Sequence, residues 1–366
     1  MSNYGCPGKP LVVLGASSPT TVLDDYARAM RDANYVDALD RSSQTALKIN
    51  VSWQHWYPAC STAPWQLEGV IRTLLDDGFA NSKMYGAHNR TVVVSAKKGE
   101  KANKHLSVLQ KYNIPNIHLY EDPEWVIYEP KGKLLVLDQI FPDGIRIPSR
   151  LIGSNVIHLP TVKTHVFTTI TGAMKNAFGG LLYEKRHWCH RQIHETLVDL
   201  LSIQKEIHTG IFAVMDGAFA GSGPGPRCMT VSERNLLIAG ADQVAVDALS
   251  ARLMGLDPMS IPFLRIAHEN GLGCADLCEV DVIGMDVDKV AWEVQSNAET
   301  FASRGQKLIY WGPLQILERL LLRTVIAPWS FLASRLYHDV YWYNCYGRRR
   351  IEQAMDTGWG RLFQSY

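Results

Sequence analysis

The segment NVIHLPTVKTH, residues 155–165, joins a short apolar run to a group of polar side chains. Residues 155–159 have the apolar composition of a buried strand, Pro160 ends it, and Lys163, Thr164 and His165 follow at once. In open parallel sheets, ligands bind beyond the carboxyl ends of the strands, because the loops there vary while the strands hold their bases in place. The segment therefore predicts both a parallel α/β sheet and the position of its functional site.

Strands and helices alternate on both sides of this segment, which is typical of a mostly parallel sheet with helices on both faces. The strand candidates are residues 11–15, 46–51, 91–96, 117–120, 155–159, 211–215, 235–239 and 280–283. The helix candidates are residues 22–39, a helix that starts near Pro64 and is capped by Ser61 or Thr62, and residues 101–112, 243–254 and 261–270. Turns of the Pro-Lys-Gly and Pro-Asp-Gly type predict a hairpin within residues 125–148.

We expect an α/β fold with two lobes and a C-terminal extension. An N-terminal α/β lobe spans residues 1–150, a second α/β lobe with the lysine and histidine motif spans residues 151–290, and a helical, aromatic-rich extension spans residues 291–366. The 366 residues are 46% hydrophobic and 20% charged, which provides ample material for a core and argues against disorder.

Charge and cysteine content exclude several classes of protein. With 37 basic and 36 acidic residues the net charge is +1, so no overall field favours nucleic acid, and we expect no nucleic-acid partner. The seven cysteines form no CxxC pair, so neither a disulfide scaffold nor an iron–sulfur cluster is expected. Residues 1–9 lack the pattern of a signal peptide and no apolar run is long enough to span a membrane, which predicts a cytoplasmic protein.

The C-terminal segment, from about Phe301, is rich in tryptophan, tyrosine and arginine. Three interpretations stay open: amphipathic helices that dock on the main body or on a second subunit, a membrane-surface helix, or a nucleic-acid patch. We favour the first. The expected partners are a small anionic substrate and, through the C-terminal segment, either a second copy in a homodimer or a peripheral membrane contact. Charged residues interrupt residues 308–327, which argues against a spanning helix.

Histidines are concentrated in the middle of the chain. Five of the twelve fall within 37 residues, at positions 158, 165, 187, 190 and 194. Imidazole titrates near neutral pH and is the commonest metal ligand in proteins. His190 and His194 are four residues apart on a predicted helix, and Asp216 follows a predicted strand, so these three are the candidate ligands of a divalent metal such as iron or nickel.

Lys163, His165 and Lys175 are the candidate catalytic residues. Lys175 is set among apolar residues, and burial would lower the pKa of its amine and make it a base or nucleophile. The threonine- and glycine-rich stretch before it suggests a loop or helix start whose amides face an anion. The candidate substrate-binding residues are Lys48, Asn50, Thr62, Thr164, Thr171 and Asn176.

The sequence resembles the domain of unknown function 362 family over roughly residues 45–285. The motifs that carry the resemblance are LKIN at 47–50, CSTAPW at 60–65, LPTVKTH at 159–165, TGAMKNAFG at 171–179, DG at 216–217, GP at 223–224, DQVAVD at 242–247 and GLG at 271–273. Many relatives carry an added ferredoxin-like module, and this chain has no such cysteine array.

A more distant similarity links residues 165–194 to the nickel-pincer lactate racemase family. His165 precedes Lys175 by ten residues, and further histidines follow. The resemblance implies that His165 is an acid/base, that Lys175 tethers the cofactor or is a charge partner, and that His190 or His194 binds the metal. The glycine and proline surroundings of that family's lysine are not reproduced, and Lys163 and Asn176 are additional.

Together these patterns predict a metal-dependent enzyme that moves a proton or hydride on a small anionic metabolite, an isomerase, racemase or oxidoreductase with a lysine and histidine centre. The alternatives are an accessory protein that binds a metal or cofactor, and an enzyme associated with a membrane surface.

Overall fold

The computed structural model describes residues 9–89, 93–121, 124–295, 298–318, 321 and 328–366. Twelve strands are found in these ranges. They are β1 (Leu11–Ala16), β2 (Thr45–Ile49), β3 (Met84–His88), β4 (Asn116–His118), β5 (Trp125–Tyr128), β6 (Ile145–Pro148), β7 (Asn155–Leu159), β8 (Thr161–His165), β9 (Thr169–Ile170), β10 (Gly210–Ser222), β11 (Thr230–Gly240) and β12 (Asp281–Gly284).

Ten of these strands form one mixed, mostly parallel sheet. Eight run in the order β12-β1-β11-β10-β7-β2-β3-β4, and β8 pairs with both β10 and β9. The run from β10 to β4 is parallel throughout, whereas β11 is antiparallel to both β1 and β10. β5 and β6 form a separate antiparallel hairpin, as the turns predicted. The predicted α/β class with a mostly parallel sheet is confirmed.

Helices cover both faces of the sheet. The α-helices of the described ranges are α1 (Val22–Asp32), α2 (Tyr35–Ala38), α3 (Pro64–Asp76), α4 (Ala96–Ala102), α5 (His105–Lys111), α6 (Leu137–Ile140), α7 (Ala173–Phe178), α8 (Ile193–Ile207), α9 (Gln243–Leu253), α10 (Pro262–Glu269), α11 (Val287–Val290), α12 (Phe301–Tyr310), α13 (Pro328–Arg335), α14 (Arg348–Met355) and α15 (Gly358–Ser365). Leu336–Gly347 is π-helical, and Glu184–Gln192 forms 3₁₀ turns.

Two hydrophobic cores lie on opposite faces of the sheet, because successive side chains of a strand point to opposite sides. In β7, Val156 belongs to the core under α7 to α10, and Ile157 belongs to the core under α1, α3 and the C-terminal helices. The two predicted lobes share this one sheet. β2 pairs with β7, and β1 lies between β11 and β12, so residues 1–150 and 151–290 do not build separate sheets.

Several predicted elements differ in their bounds. The strand expected at 91–96 is not found: residues 91 and 92 lie outside the described ranges, residues 93–95 are not a strand, and α4 starts at Ala96. The parallel strand β3 occurs earlier instead. The helices predicted over 22–39 and 101–112 are each interrupted by a residue with positive φ, Asn34 and Lys104. Such a conformation ends a right-handed helix.

The cap predicted for the helix after Pro64 is also wrong. Ala63 is the N-cap of α3, and the side chain of Gln66 accepts the hydrogen bond of its amide at 3.1 Å. The hydroxyl of Thr62 instead accepts the amide of Asn50 and donates to the carbonyl of Leu159. Thr62 therefore ties the end of β2 to the end of β7.

The C-terminal helices dock on the main body, as favoured by the sequence. Asp339 accepts hydrogen bonds from the Trp53 indole at 2.6 Å and from Gln54 at 2.8 Å. The guanidinium of Arg350 donates to the carbonyl of Met229, and the buried Trp359 indole donates to Asn235. Within the described ranges, no helix combines the length and apolar composition needed to cross a bilayer.

Candidate functional site

A cavity of about 960 Å³ opens at the carboxyl ends of β2 and β8. The end of β2, β8, α7 and the turn at 224–227 form its floor and sides, and α12 and residues 334–338 form a further wall. This volume matches that of small-molecule sites. The C-terminal extension, whose role the sequence left open, thus contributes directly to the cavity.

The segment LPTVKTH positions two of the predicted catalytic residues. Residues 161–165 are not the expected loop but the strand β8, whose residues Thr161 and Lys163 pair with β10. Lys163 is 1% exposed, and its ammonium nitrogen donates to the hydroxyl of Thr161 at 2.5 Å. Lys163 and His165 are two residues apart on the strand, and both line the cavity.

Helix α7 carries Lys175 into the same cavity. Asn176 donates to the backbone carbonyl of Lys48 at 2.8 Å, which fixes α7 against β2. The amides of Ala173 and Met174 donate to the buried carboxylate of Asp247 at 2.6 and 3.0 Å. The expectation that amides in this stretch face a bound anion is therefore wrong for these two, because Asp247 already occupies them.

Gly172 makes this arrangement possible. A β-carbon at this position would overlap the Asp247 carboxylate, so only glycine lets the carboxylate reach the start of α7. Burial raises the pKa of Asp247 to about 8, although the two amide hydrogen bonds oppose the rise. Asp247 thus positions α7 through its first two residues.

Burial makes the lysines of the cavity unusual, and for Lys48 and Lys175 neighbouring positive charges add to its effect. Burial lowers the pKa of Lys175 to about 7, with a further contribution from the charges of Lys163 and Arg186. Burial and the charge of Arg186 lower the pKa of Lys48 to about 7, and burial lowers that of Lys163 to about 8. An appreciable fraction of these amines is neutral near neutral pH, so each is able to accept a proton.

His165 is held in one tautomer. The amide of Phe167 donates to its Nδ1 at 3.1 Å, so the neutral ring carries its proton on Nε2. Burial, followed by the charge of Lys175, places the pKa of His165 well below its ordinary value. The ring is therefore a neutral hydrogen-bond donor toward the cavity.

Sequence reasoning missed two arginines of the cavity. Arg186, 6% exposed, lies within the histidine-rich stretch, and Arg227 directly follows the sequence Gly-Pro-Gly-Pro at 223–226. Position within the histidine-rich stretch was a signal for Arg186. No sequence signal pointed to Arg227 apart from the glycine- and proline-rich turn before it. Among the described lining residues Glu121 is the one carboxylate, and it pairs with Lys97 at 2.7 Å.

The predicted substrate-binding residues divide into two groups. Lys48, Asn50, Thr171 and Asn176 line the cavity. Thr62 and Thr164 do not. Both are buried, and the hydroxyl of Thr164 donates to the carbonyl of Gly223 at 2.7 Å, so each threonine supports the backbone around the site.

The three predicted metal ligands are not brought together. His190 lines the cavity, and its Nδ1 lies 2.9 Å from the carbonyl of His187. The ring of His194 stacks on Phe263. Asp216 lies inside β10 rather than after its end, and its carboxylate accepts hydrogen bonds from Tyr26 and Trp65. The three do not form a cluster with metal-ligand spacing in the described structure.

A different cluster has that spacing. The ligand atoms of His88, Glu100 and His118 all lie within 4.8 Å of one another. Sequence analysis singled out none of them, because β3, which ends at His88, was not recognised. The distances from Glu100 Oε2 to the Nε2 atoms of His88 and His118 are both 2.8 Å.

Comparison with known proteins identifies a relative and a family. The chain is 27% identical over 174 residues to a protein of Synechocystis sp. whose name is "thylakoid-associated protein", and the alignment covers 46% of this chain. It spans about half of that relative, 51% of its length. Residues 45–252, more than half of the chain, match the model of the domain of unknown function (DUF362). The LPTVKTH and TGAMKNAFG motifs lie within this match, and the protein belongs to the domain of unknown function 362 family.

Proposed function

We propose that this protein is an enzyme that binds a small polyanionic metabolite in the cavity and moves a proton on it. One observation carries the proposal. Lys48, Lys163 and Lys175 all line the cavity. Among the described residues none of the three forms a salt bridge with a carboxylate, and only Lys163 is affected by the charge of a nearby carboxylate, that of Asp216. Burying charge without a partner is costly, so an anionic ligand that supplies the missing charge would bind strongly.

Lys175 is the proposed base. Its amine is partly neutral near neutral pH, and it is held on α7 between the Asp247 cap and the Asn176 bond to β2. His165 is the proposed electrophile. Its Nε2 hydrogen would donate to an oxygen on which negative charge develops when a proton leaves the neighbouring carbon. This division of roles differs from our first expectation, in which His165 moved the proton.

Lys48, Lys163, Arg186 and Arg227 would bind the carboxylate or phosphate groups of the ligand. Guanidinium groups pair with such anions through two parallel hydrogen bonds, whereas the lysines act as point charges. A proton relocation, as in an isomerase or racemase, needs only the base and the donor described. A hydride transfer would need a redox partner, so we favour isomerisation.

The test is hydrogen exchange into the substrate. Anionic metabolites that raise the melting temperature would be incubated with the protein in D₂O, and deuterium incorporation would be followed by mass spectrometry. We expect incorporation with the wild type and with Lys133→Met, an exposed lysine outside the cavity, and loss of incorporation with Lys175→Met. Incorporation that survives Lys175→Met would rule out Lys175 as the base.

A second proposal concerns the C-terminal segment. Among the described residues, eleven of the sixteen exposed large hydrophobic side chains fall between Phe301 and Tyr346, and Ile316 is 91% exposed. A concentration of exposed apolar side chains in one segment favours a docking or membrane-contact role. The name of the Synechocystis relative associates that protein with the thylakoid. We propose that this surface brings the enzyme to a lipid bilayer.

Vesicle flotation tests this proposal. Wild-type protein should float with phospholipid vesicles, and Ile316→Glu together with Leu332→Glu should abolish flotation. Ile127→Glu is the matched control, because Ile127 is 57% exposed on the hairpin strand β5. Equal flotation of all variants, or none by the wild type, would contradict the proposal.

A further inference from the structure

We propose that His88, Glu100 and His118 bind one divalent transition-metal ion, with Zn²⁺ as the representative ion. The site differs from the one predicted from the sequence and does not rest on the proposed function. It lies at the carboxyl ends of two neighbouring parallel strands. His88 and His118 are register partners, the last residues of β3 and β4, and Glu100 comes from α4 of the connection between these strands.

The separations suit a metal ion. Both imidazoles direct Nε2 at the same oxygen of Glu100, at 2.8 Å, and no pair of ligand atoms is more than 4.8 Å apart. Ligand atoms around a tetrahedral zinc ion are separated by about 3.4 Å, since each lies about 2.1 Å from the metal. Two of the separations are 2.8 Å and the third is at most 4.8 Å, so side-chain movements of about 1 Å would bring the ligand atoms to this spacing.

The hydrogen-bond inventory of the cluster is unbalanced without a cation. His118 faces carboxylates on both sides, Glu100 at Nε2 and Glu121 at Nδ1, 3.1 Å away, yet a neutral imidazole has only one N–H. Asn116 also donates to the same oxygen of Glu100, at 2.7 Å, and its own Oδ1 is buried with no hydrogen-bond partner among the residues that the structure describes. A metal ion in place of a proton satisfies His118 and the Glu100 oxygen together.

The donor set and its surroundings indicate which ion fits. Two imidazole nitrogens and one carboxylate oxygen form the ligand set of catalytic zinc sites, which keep a further position open. The side chain of His88 is 1% exposed and that of His118 is 15% exposed. The cluster is therefore largely shielded from solvent, and an ion from solution would reach it from the side of His118. Asn89, the residue after His88, lines the cavity, as do Tyr120 and Glu121, two and three residues after His118. The ion would therefore lie beside the wall of the cavity.

The experiment is a zinc titration of the full chain after metal has been removed with a chelator. Isothermal titration calorimetry should show one zinc ion per chain. His118→Gln and Glu100→Gln should each weaken binding by at least about 100-fold, the upper end of what outer-shell partners contribute. His268→Gln, on α10 outside the cluster, should bind zinc like the wild type. Absence of zinc binding by the wild type, or wild-type affinity in His118→Gln, would overturn the proposal.

Cobalt spectroscopy of the wild type keeps the test independent of how the variants fold. Co²⁺ bound by imidazole and carboxylate gives visible d–d bands without the sulfur charge-transfer band of thiolate ligation. No bands, or a thiolate band, would overturn the site. Anion binding in the cavity is measured separately, so loss of zinc binding with intact anion binding would refute the metal site and leave the proposed function untouched.

Discussion

Replacing Lys48 by methionine should make the free energy of unfolding less dependent on pH. Lys48 is 4% exposed, and its ammonium nitrogen donates to the carbonyl of Ile49 at 2.7 Å. Its pKa falls from an ordinary 10.5 to about 7, mainly through burial. Between these two values the unfolded chain holds the proton and the folded chain releases it, so folding is penalised progressively as the pH falls from 10.5 to 7. Below pH 7 the penalty is constant.

The magnitude follows from the size of the shift. At about 1.4 kcal/mol for each pKa unit, the full penalty is about 5 kcal/mol, an upper value because water in the cavity can solvate the ammonium group. About 3 kcal/mol of it disappears between about pH 6 and about pH 9.5. The free energy of unfolding of Lys48→Met, minus that of the wild type, should therefore be larger at the lower pH by up to this amount, because the variant escapes the penalty.

Urea denaturation of both proteins at the two pH values measures this difference. Comparing one substitution at two pH values cancels the change in packing, and Lys133→Met, exposed on the surface, controls for the loss of a charge. A Lys48→Met effect that is equal at both pH values would refute the argument that Lys48 is a buried, uncompensated amine.

Three further substitutions test the supports of the cavity. Gly172→Ala should destabilise the protein by about 1–3 kcal/mol, because the added carbon overlaps Asp247. The control Gly305→Ala meets nothing within 4 Å on the helix Phe301–Tyr310 and should not destabilise; chemical denaturation should show a gain of up to about 1 kcal/mol from helix propensity. His165→Leu should weaken the binding of pyrophosphate, a small polyanion used as a probe, by about tenfold or more, since a hydrogen bond to a charged ligand is lost. An unchanged dissociation constant would show that His165 does not contact the anion. Asp339→Leu removes the acceptor of Trp53 and Gln54, so limited proteolysis should release the C-terminal segment faster; unchanged cleavage would show that other contacts hold it.

The part of the fold that follows from local pattern was predictable. β7 matches its predicted bounds, and β1, β2 and α9 differ from theirs by two residues at most, because buried strands and helices have a strong hydrophobic period. The order in which the strands pair in the sheet was not predictable. Pairing of β2 with β7 is a long-range contact that no local pattern encodes, and this pairing is what merges the two expected lobes.

The site was predictable in composition but not in detail. Lys163, His165 and Lys175 meet at one cavity because they follow or lie on adjacent elements at one edge of the sheet. Asp216 failed as a ligand because β10 continues to Ser222, which places its carboxylate inside the sheet against Tyr26 and Trp65. Residues 84–88 lack the β-branched composition of a strand, so His88 went unnoticed.

The central claim is that the buried lysines of the cavity, Lys48, Lys163 and Lys175, bind a polyanion, and calorimetric titration with pyrophosphate, tripolyphosphate and citrate tests it most directly. We expect the wild type to bind at least one of these anions, more tightly at about pH 6.5 than at about pH 9, because Lys48, Lys163 and Lys175 gain protons as the pH falls through their pKa values of about 7 to 8. Lys175→Met should weaken this binding, and Lys133→Met should not. If the wild type binds none of the three anions at either pH, or if Lys175→Met leaves the affinity unchanged, the account is contradicted.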